Sequence, residues 1–503
     1  MILFNFLLTL RLINKPNQNF TAMNNTRTVS LKEKVGYGFG DMASSMFWKI
    51  FGMYLLFFYT KVFGISPAAA GTMFLVTRVW DAVNDPLMGI IADRTNTRWG
   101  KYRPYLLWFA VPFAVMGVIT FHTPDVSETG KLIYAYITYI LMMMVYTAVN
   151  VPYASLLGAM SSNPRERNTL SSYRMFFAFV GSFITFMLLQ PLVDFFAGVF
   201  DSGTVNSIQG TTNDTSISRS PMGWTMAVAV IGAICAFLFF MCFKWTRERV
   251  KPINEEQEKS SIKQDLRNLA KNSPWWILMG SGLAALLFNA IRDGVALFYF
   301  ADYIQRNYKM PYFGWTMATI YLLVGQAANM IGVALAAPLS NKYGKRKTYM
   351  IAMAVAAVLS TFFFALTPNQ IAWILILQTL ISICAGYVLP LLWSMYADIV
   401  DHQELKTGRR TTGLIFSSSS MSQKMGWAFG AALTGWLLAW FGYNQDAAAQ
   451  PESAIFGVRL MMSWLPAISC VLAVICMAFY PLSEKKVKDV TAELETLRKK
   501  KEN

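Results

Sequence analysis

The sequence predicts an all-α membrane protein of twelve transmembrane helices in two six-helix halves, and three observations predict it. Apolar runs of about twenty residues recur along the chain, each long enough to cross a bilayer as a helix. Of the 503 residues, 55% are hydrophobic and 14% charged, against about 25% charged in a soluble domain. The halves also echo each other. "GKYRPY" (Gly100–Tyr105) and "GKRKTY" (Gly344–Tyr349) each follow the second span of a half, and "VPYASLLGAMSSNPRER" pairs with "LPLLWSMYADIVDHQE" in the fourth spans. Duplicated halves belong to transporters that hold substrate near the midplane, between the repeats.

The first half is expected to span at Gly38–Phe63, Ala68–Asp93, Pro104–Phe121, Leu132–Met160, Tyr173–Phe196 and Met222–Phe243. The second half follows with Trp275–Ile304, Phe313–Leu339, Thr348–Leu366, Ile371–Val400, Gly413–Phe441 and Phe456–Tyr480. Basic residues bound every second loop: Arg94, Arg98, Lys101 and Arg103; Arg165 and Arg167; Lys244 to Lys251; Lys342 to Lys347; Lys406, Arg409 and Arg410. The alternate loops carry few, so the basic set and both termini are expected on the cytoplasmic side of the membrane. This distribution accounts for the net charge of +16 without a nucleic acid partner.

Residues 1–34 read as an N-terminal tail, 35–244 as the first bundle, 245–274 as a central cytoplasmic loop, 275–481 as the second bundle and 482–503 as a basic tail. "MILFNFLLTL" lacks the basic start and cleavage site of a signal peptide. The residues before Met23 are expected to reflect an upstream start codon or a disordered tail. "DSGTVNSIQGTTNDTSISRS" reads as an outer loop. The five cysteines lie in apolar segments without metal-ligand spacing and read as small buried hydrophobes. His122 and His402 sit at expected helix ends.

The chemistry is expected inside the membrane, where charge is costly and marks function. Asp81 and Asp85 are one turn apart on one face of the second span, with Asn84 beside them. Two carboxylates and an amide form a hard-oxygen site for Na⁺, or for a shared proton. A salt bridge with Arg78 is the bland alternative. Lys424 falls about eleven residues, roughly 16 Å, into its span. Lys49 is equally deep, on the face of Asp41 and Ser45. It either neutralises a carboxylate of the second span or binds an acidic substrate. Arg292 and Asp293 are adjacent and diverge on a helix. Tyr54, Tyr146, Tyr153, Trp393 and Trp427 lie beside polar positions, as suits a sugar's C–H faces.

The stretches "GYGFGDMASS", "YLLFFYTKVFGIS", "GTMFLVTRVWDAVNDPLMGIIADRTNTRWGKYRPY", "YTAVNVPYASLLGAM", "RERNTLSSYRM", "ADIVDHQELKTGRRTTG" and "SQKMGWAFG" resemble the glycoside–pentoside–hexuronide:cation symporters. These are a branch of the major facilitator superfamily, and the likeness runs from about Lys34 to Tyr480, nearest the xyloside-type members in the first span. The resemblance implies that Asp81, Asn84, Asp85 and Thr147 hold the cation. It implies that Lys424 stands near both cation and sugar, and that Arg174 falls within one position of a sugar-site arginine. It implies that Arg165, Arg167, Asp398, Asp401 and Arg410 close the cytoplasmic side. Ser45 and Asn150 stand where melibiose-type members carry sugar-binding aspartates.

The expected protein is therefore a secondary active symporter, not an enzyme, importing a glycoside, pentoside or hexuronide with Na⁺ or H⁺ as a monomer and without a cofactor. Its sugar site is expected at Asp41, Lys49, Tyr146, Asn150, Arg174, Trp393 and Lys424, and its cytoplasmic gate also at Arg94, Arg98 and Lys101. A lysolipid carrier of the same fold would instead need an apolar cavity open to lipid. A non-transporting sensor would need an added soluble domain.

Overall fold

The computed structural model describes residues 29–161, 164–200, 218–249, 267, 269–305, 315–407, 412–445, 447 and 449–502. Residues 1–28, most of the outer loop and much of the central loop lie outside these residues. The first half holds α1 (Leu31–Phe63), α2 (Pro67–Arg94), α3 (Arg103–Trp108), α4 (Ala110–Thr120), α5 (Glu128–Met160), α6 (Pro164–Phe200) and α7 (Pro221–Trp245). The second holds α8 (Ser273–Ile304), α9 (Met317–Tyr343), α10 (Lys345–Phe362), α11 (Ile371–Gly386), α12 (Val388–Thr407), α13 (Thr412–Trp440), α14 (Glu452–Met462) and α15 (Trp464–Ala478). The expected basic tail carries a further helix, α16 (Glu484–Glu502).

Among the described residues nine segments are long and apolar enough to cross a membrane. The polar α2 and α13 and the broken pair α3–α4 complete the pattern of twelve. Several helices outrun the expected spans, because capped helical turns continue beyond the apolar window. α1 starts seven residues before Gly38 on a Ser30–Glu33 capping box, and Ser66, Ser127, Ser220, Asn272 and Thr316 cap α2, α5, α7, α8 and α9.

The interruptions have local causes. Pro112, Pro390 and Pro466 each lack the N–H that would bond the carbonyl four residues back. The chain breaks at Phe109, Tyr387 and Ser463. The carbonyl that Pro466 releases, that of Met462, accepts Arg292 Nη1 at 3.2 Å. Another helix of the same half thus satisfies a freed backbone group inside the membrane. The first helix of each half also widens into π turns: Ile50–Tyr54 and Phe58–Phe63 in α1, Tyr299–Ile304 in α8. Such turns are rare and collect at functional positions.

The sequence repeat is a structural repeat. Gly100 (φ 114°) and Gly344 (φ 89°) both adopt left-handed backbone, which glycine tolerates without strain. Glu248, just beyond α7, accepts the N–H groups of Lys101, Tyr102 and Arg103 at 2.8, 2.8 and 2.9 Å. Glu484, just beyond α15, accepts that of Lys345 at 2.6 Å. Arg103 Nη2 donates to Phe243 O at 2.6 Å, and Arg346 Nη2 to Ala478 O at 2.5 Å. In each half one carboxylate caps a helix N-terminus, and one guanidinium meets the carbonyl end of the half's last span.

The halves meet most closely where α2 crosses α13. A Cβ on Gly71 would lie 2.7 Å from Ala432 O, and one on Gly435 would overlap Pro67 O. Trp436 Nε1 donates to Thr72 Oγ1 at 3.0 Å beside this crossing. Both contacts lie at the face opposite the basic loops.

Candidate functional site

α2 carries its carboxylates into the interface between halves. Asp81 is buried, 3% exposed. One turn on, Asp85 Oδ1 accepts the Thr147 hydroxyl of α5 at 2.9 Å, and Oδ2 pairs with Lys424 Nζ of α13. Asp85 thus joins two helices of the first half to one of the second. Asn84 Nδ2 is buried with no hydrogen-bond partner among the described residues. The structure therefore brings together Asp81, Asn84, Asp85 and Thr147 and adds Lys424. Lys49 does not neutralise Asp85; the Lys424 ammonium does.

Beside this cluster lies a cavity of about 250 Å³ lined by both halves. α1 gives Ser45, Trp48 and Lys49, and α8 gives Asn289, Arg292 and Asp293. α9 adds Gln326 and Asn329, α11 Gln378 and α13 Trp427. Trp48 and Trp427 meet edge to face, centroids 6.4 Å apart. Lys49 lies over the Phe186 ring at 5.7 Å. Arg292 is held by Tyr321 Oη at 3.0 Å and Gln378 Oε1 at 2.7 Å, besides Met462 O.

Of the expected sugar-site residues, Lys49 lines this cavity. Asp41 and Arg174 pair with each other, Nε to Oδ2 at 3.0 Å and Nη2 to Oδ1 at 3.4 Å, with the guanidinium over Tyr153 at 5.2 Å. Tyr153 stacks on Tyr37 and donates to Tyr37 O at 2.7 Å. The Tyr146 ring stands 5.9 Å from Trp48, and Asn150 Nδ2 donates to Tyr146 O at 3.0 Å. Trp393 is 37% exposed on α12. Lys424 sits one turn before Trp427, between cavity and carboxylates.

The expected gate charges lie at the basic face. Arg94 and Arg98 are exposed, and Arg98 covers the Trp99 ring at 4.5 Å. Lys101 stands 5.8 Å over Tyr102. Arg167 donates to Ser161 O at 2.6 Å and Gly158 O at 3.3 Å, within its own half. Asp398 takes Lys345 Nζ at 2.7 and 2.8 Å, also within its own half. Asp401 is half-buried on α12. The Arg165 side chain and Arg410 lie outside the described residues.

The opposite face holds a linkage that sequence reasoning missed. Lys61, at the end of α1, reaches across the halves to Asp302 of α8 at 3.5 Å and lies 4.7 Å over the Tyr443 ring. Tyr443 Oη donates to Asp302 Oδ2 at 2.6 Å. Burial and the Asp302 carboxylate push the Tyr443 phenol well above its usual range, so it stays a donor. Phe57 and Phe298 pack edge to face just beneath, centroids 5.5 Å apart, and Trp315 Nε1 donates across the halves to Met187 O at 3.0 Å. The only sequence signal was a charge of each sign at the ends of equivalent spans.

The family model described as "MFS/sugar transport protein" matches residues 36–484. YagG of Escherichia coli (strain K12), by its name a candidate glycoside/cation symporter, is 36% identical over 466 residues, 93% of this chain and 95% of its own. The isoprimeverose transporter of Lactiplantibacillus pentosus is 34% identical over 468 residues, 93% and 92% of the two chains. Among solved structures, a bacterial homologue of the human lysosomal transporter Spinster superposes with a TM-score of 0.64 at 15% identity, covering 92% of this chain and 97% of that one. That likeness is one of fold.

Proposed function

Because the chain belongs to the MFS/sugar transport family, we propose that it is a symporter that imports a glycoside, pentoside or hexuronide together with Na⁺ or H⁺ by alternating access. It is a transporter and not an enzyme. The observation that carries the reading is Asp85, held at once by Thr147 and by Lys424 of the other half, beside a cavity that both halves line and into which charged and amide side chains converge. An ion arriving at Asp81 and Asp85 competes with the Lys424 ammonium for one carboxylate. Its binding releases a tie between the halves and frees a cation next to Trp427. Cation and sugar thereby act on the same interface, and their coupling is reciprocal as a binding free energy.

The cavity sets Lys49, Asn289, Asp293, Gln326, Asn329 and Gln378 in a wall that is otherwise largely apolar, with Met53, Phe179, Phe186 and Leu286; an acyl chain would leave those converging polar groups without partners, which favours a sugar over a lysolipid. In this reading the basic face is cytoplasmic, the carrier works as a monomer in a bacterial inner membrane, and the Lys61–Asp302–Tyr443 cluster closes the outer side. Arg94, Arg98, Lys101, Arg165, Arg167, Asp398, Asp401 and Arg410 close the inner side when the cavity faces out. Asp41 and Arg174 brace α1 against α6, one turn from the cavity.

The test is uptake into proteoliposomes across a glycoside panel, with Na⁺ and pH gradients imposed separately. Sugar should accumulate against its gradient only with one of the two. Asp85→Asn should abolish accumulation. Accumulation that persists in Asp85→Asn would contradict the assignment.

A further inference from the structure

The cavity is charged unevenly. Its described charged lining residues are Lys49 from α1 and Arg292 and Asp293 from α8, two positive and one negative. Arg292 gives its hydrogen bonds to neutral acceptors, Met462 O, Tyr321 Oη and Gln378 Oε1. Lys49 rests over an uncharged ring. Among the described residues neither cation has a carboxylate within ion-pair distance. Asp293 lines the same cavity as Lys49 and diverges from Arg292, its neighbour in the chain, because consecutive helical side chains point about 100° apart. One carboxylate therefore shares with two cations a pocket walled by protein, which concentrates their field.

A neutral glycoside entering this space displaces water and leaves one positive charge uncompensated. A monoanionic sugar removes the imbalance, and charge buried without a counterion is costly. Resting on the sugar-carrier reading above, we infer that the cavity selects a sugar bearing one carboxylate, with Lys49 as its anion anchor and Asp293 as the acceptor of its ring hydroxyls. Arg292 contributes chiefly its charge, since three of its five N–H donors are already engaged. Trp48 and Trp427 supply the faces on which the ring's C–H groups pack. Asp293 also keeps the site from becoming a general anion trap, because it repels ligands that lack hydroxyls to donate.

The probes are methyl β-D-glucuronide and methyl β-D-glucoside, identical except at C6. In proteoliposomes the full chain should prefer the glucuronide by about tenfold or more in kcat/KM, the scale of one charge-assisted hydrogen bond. Lys49→Gln should bring the ratio towards one. Asp293→Asn should weaken both probes and leave the glucuronide preferred. A protein that prefers the glucoside with its cation dependence intact overturns the inference and leaves symport standing. Loss of cation dependence for every sugar is instead the failure of the symporter reading. A second measurement needs no sugar. A cysteine introduced by Val333→Cys, on the cavity wall, should react faster with an anionic than with a cationic methanethiosulfonate, after correction for their rates with free thiol. Adding Lys49→Gln should even the two rates. A faster cationic reagent overturns the inference.

Discussion

Asp85 is engaged at both of its oxygens, by Thr147 and by Lys424, and its chemistry is set by which partner it keeps. Removing the competing ammonium by Lys424→Gln should raise apparent affinity for the coupling ion by about tenfold or more, since an opposite charge in contact shifts a carboxylate's proton affinity by one to three logarithmic units. Ion titration of uptake in vesicles reads this, and an unchanged midpoint would detach Lys424 from the coupling step. Thr147→Val should cost only one neutral-to-charged hydrogen bond, about a tenfold or greater loss of ion affinity. This cluster was legible in the sequence because Asp81, Asn84 and Asp85 lie within one and a half turns of a single helix. Thr147 and Lys424 came from the family resemblance and from depth in the span. Asp293 is not legible in the same way: in the sequence it stands beside Arg292, from which it diverges on the helix, whereas Lys49, which lines the same cavity, comes from the other half of the molecule.

The helices are punctuated at places where single residues can be tested. Glu248 takes three backbone N–H groups and Glu484 one. Glu248→Gln should therefore lower the Tm of the detergent-solubilised protein more than Glu484→Gln, as charge-assisted bonds to a helix N-terminus are lost. Equal shifts would mean that the caps are not what secures these loops. Six-residue repeats made the loops recognisable from sequence, since glycine, lysine and tyrosine recur at fixed spacing. Their capping carboxylates were not, because Glu248 and Glu484 lie more than a hundred residues from the N–H groups they accept. The π turns of α1 and α8 leave no compositional mark at all. The two helices containing them carry Lys61 and Asp302 near their ends.

Taken as one body, the molecule is tied across its halves at the face away from the basic loops. Asp302→Asn, or Lys61→Met, should shift the population towards opening at that face, read as faster alkylation of a cysteine introduced by Gly52→Cys beside the cavity. Exchanging the charges, Lys61→Asp with Asp302→Lys, should recover part of the protection. Equal alkylation in all four proteins would remove the pair from gating. Nine of the described segments carry an apolar signal of their own, legible span by span. Which charge of one bundle meets which charge of the other is a property of docking, and no local pattern encodes it. The glycine crossing of α2 and α13 sits close to that tied face, and so acts as an off-centre fulcrum. By helical rise, Gly71 lies about 6 Å from the start of α2 and about 35 Å from its basic end. Motion pivoting there works as a lever with arms of roughly one to six. A displacement of about 1 Å at the short arm becomes about 6 Å at the long one, so spin labels at the two faces should report strongly unequal distance changes during turnover.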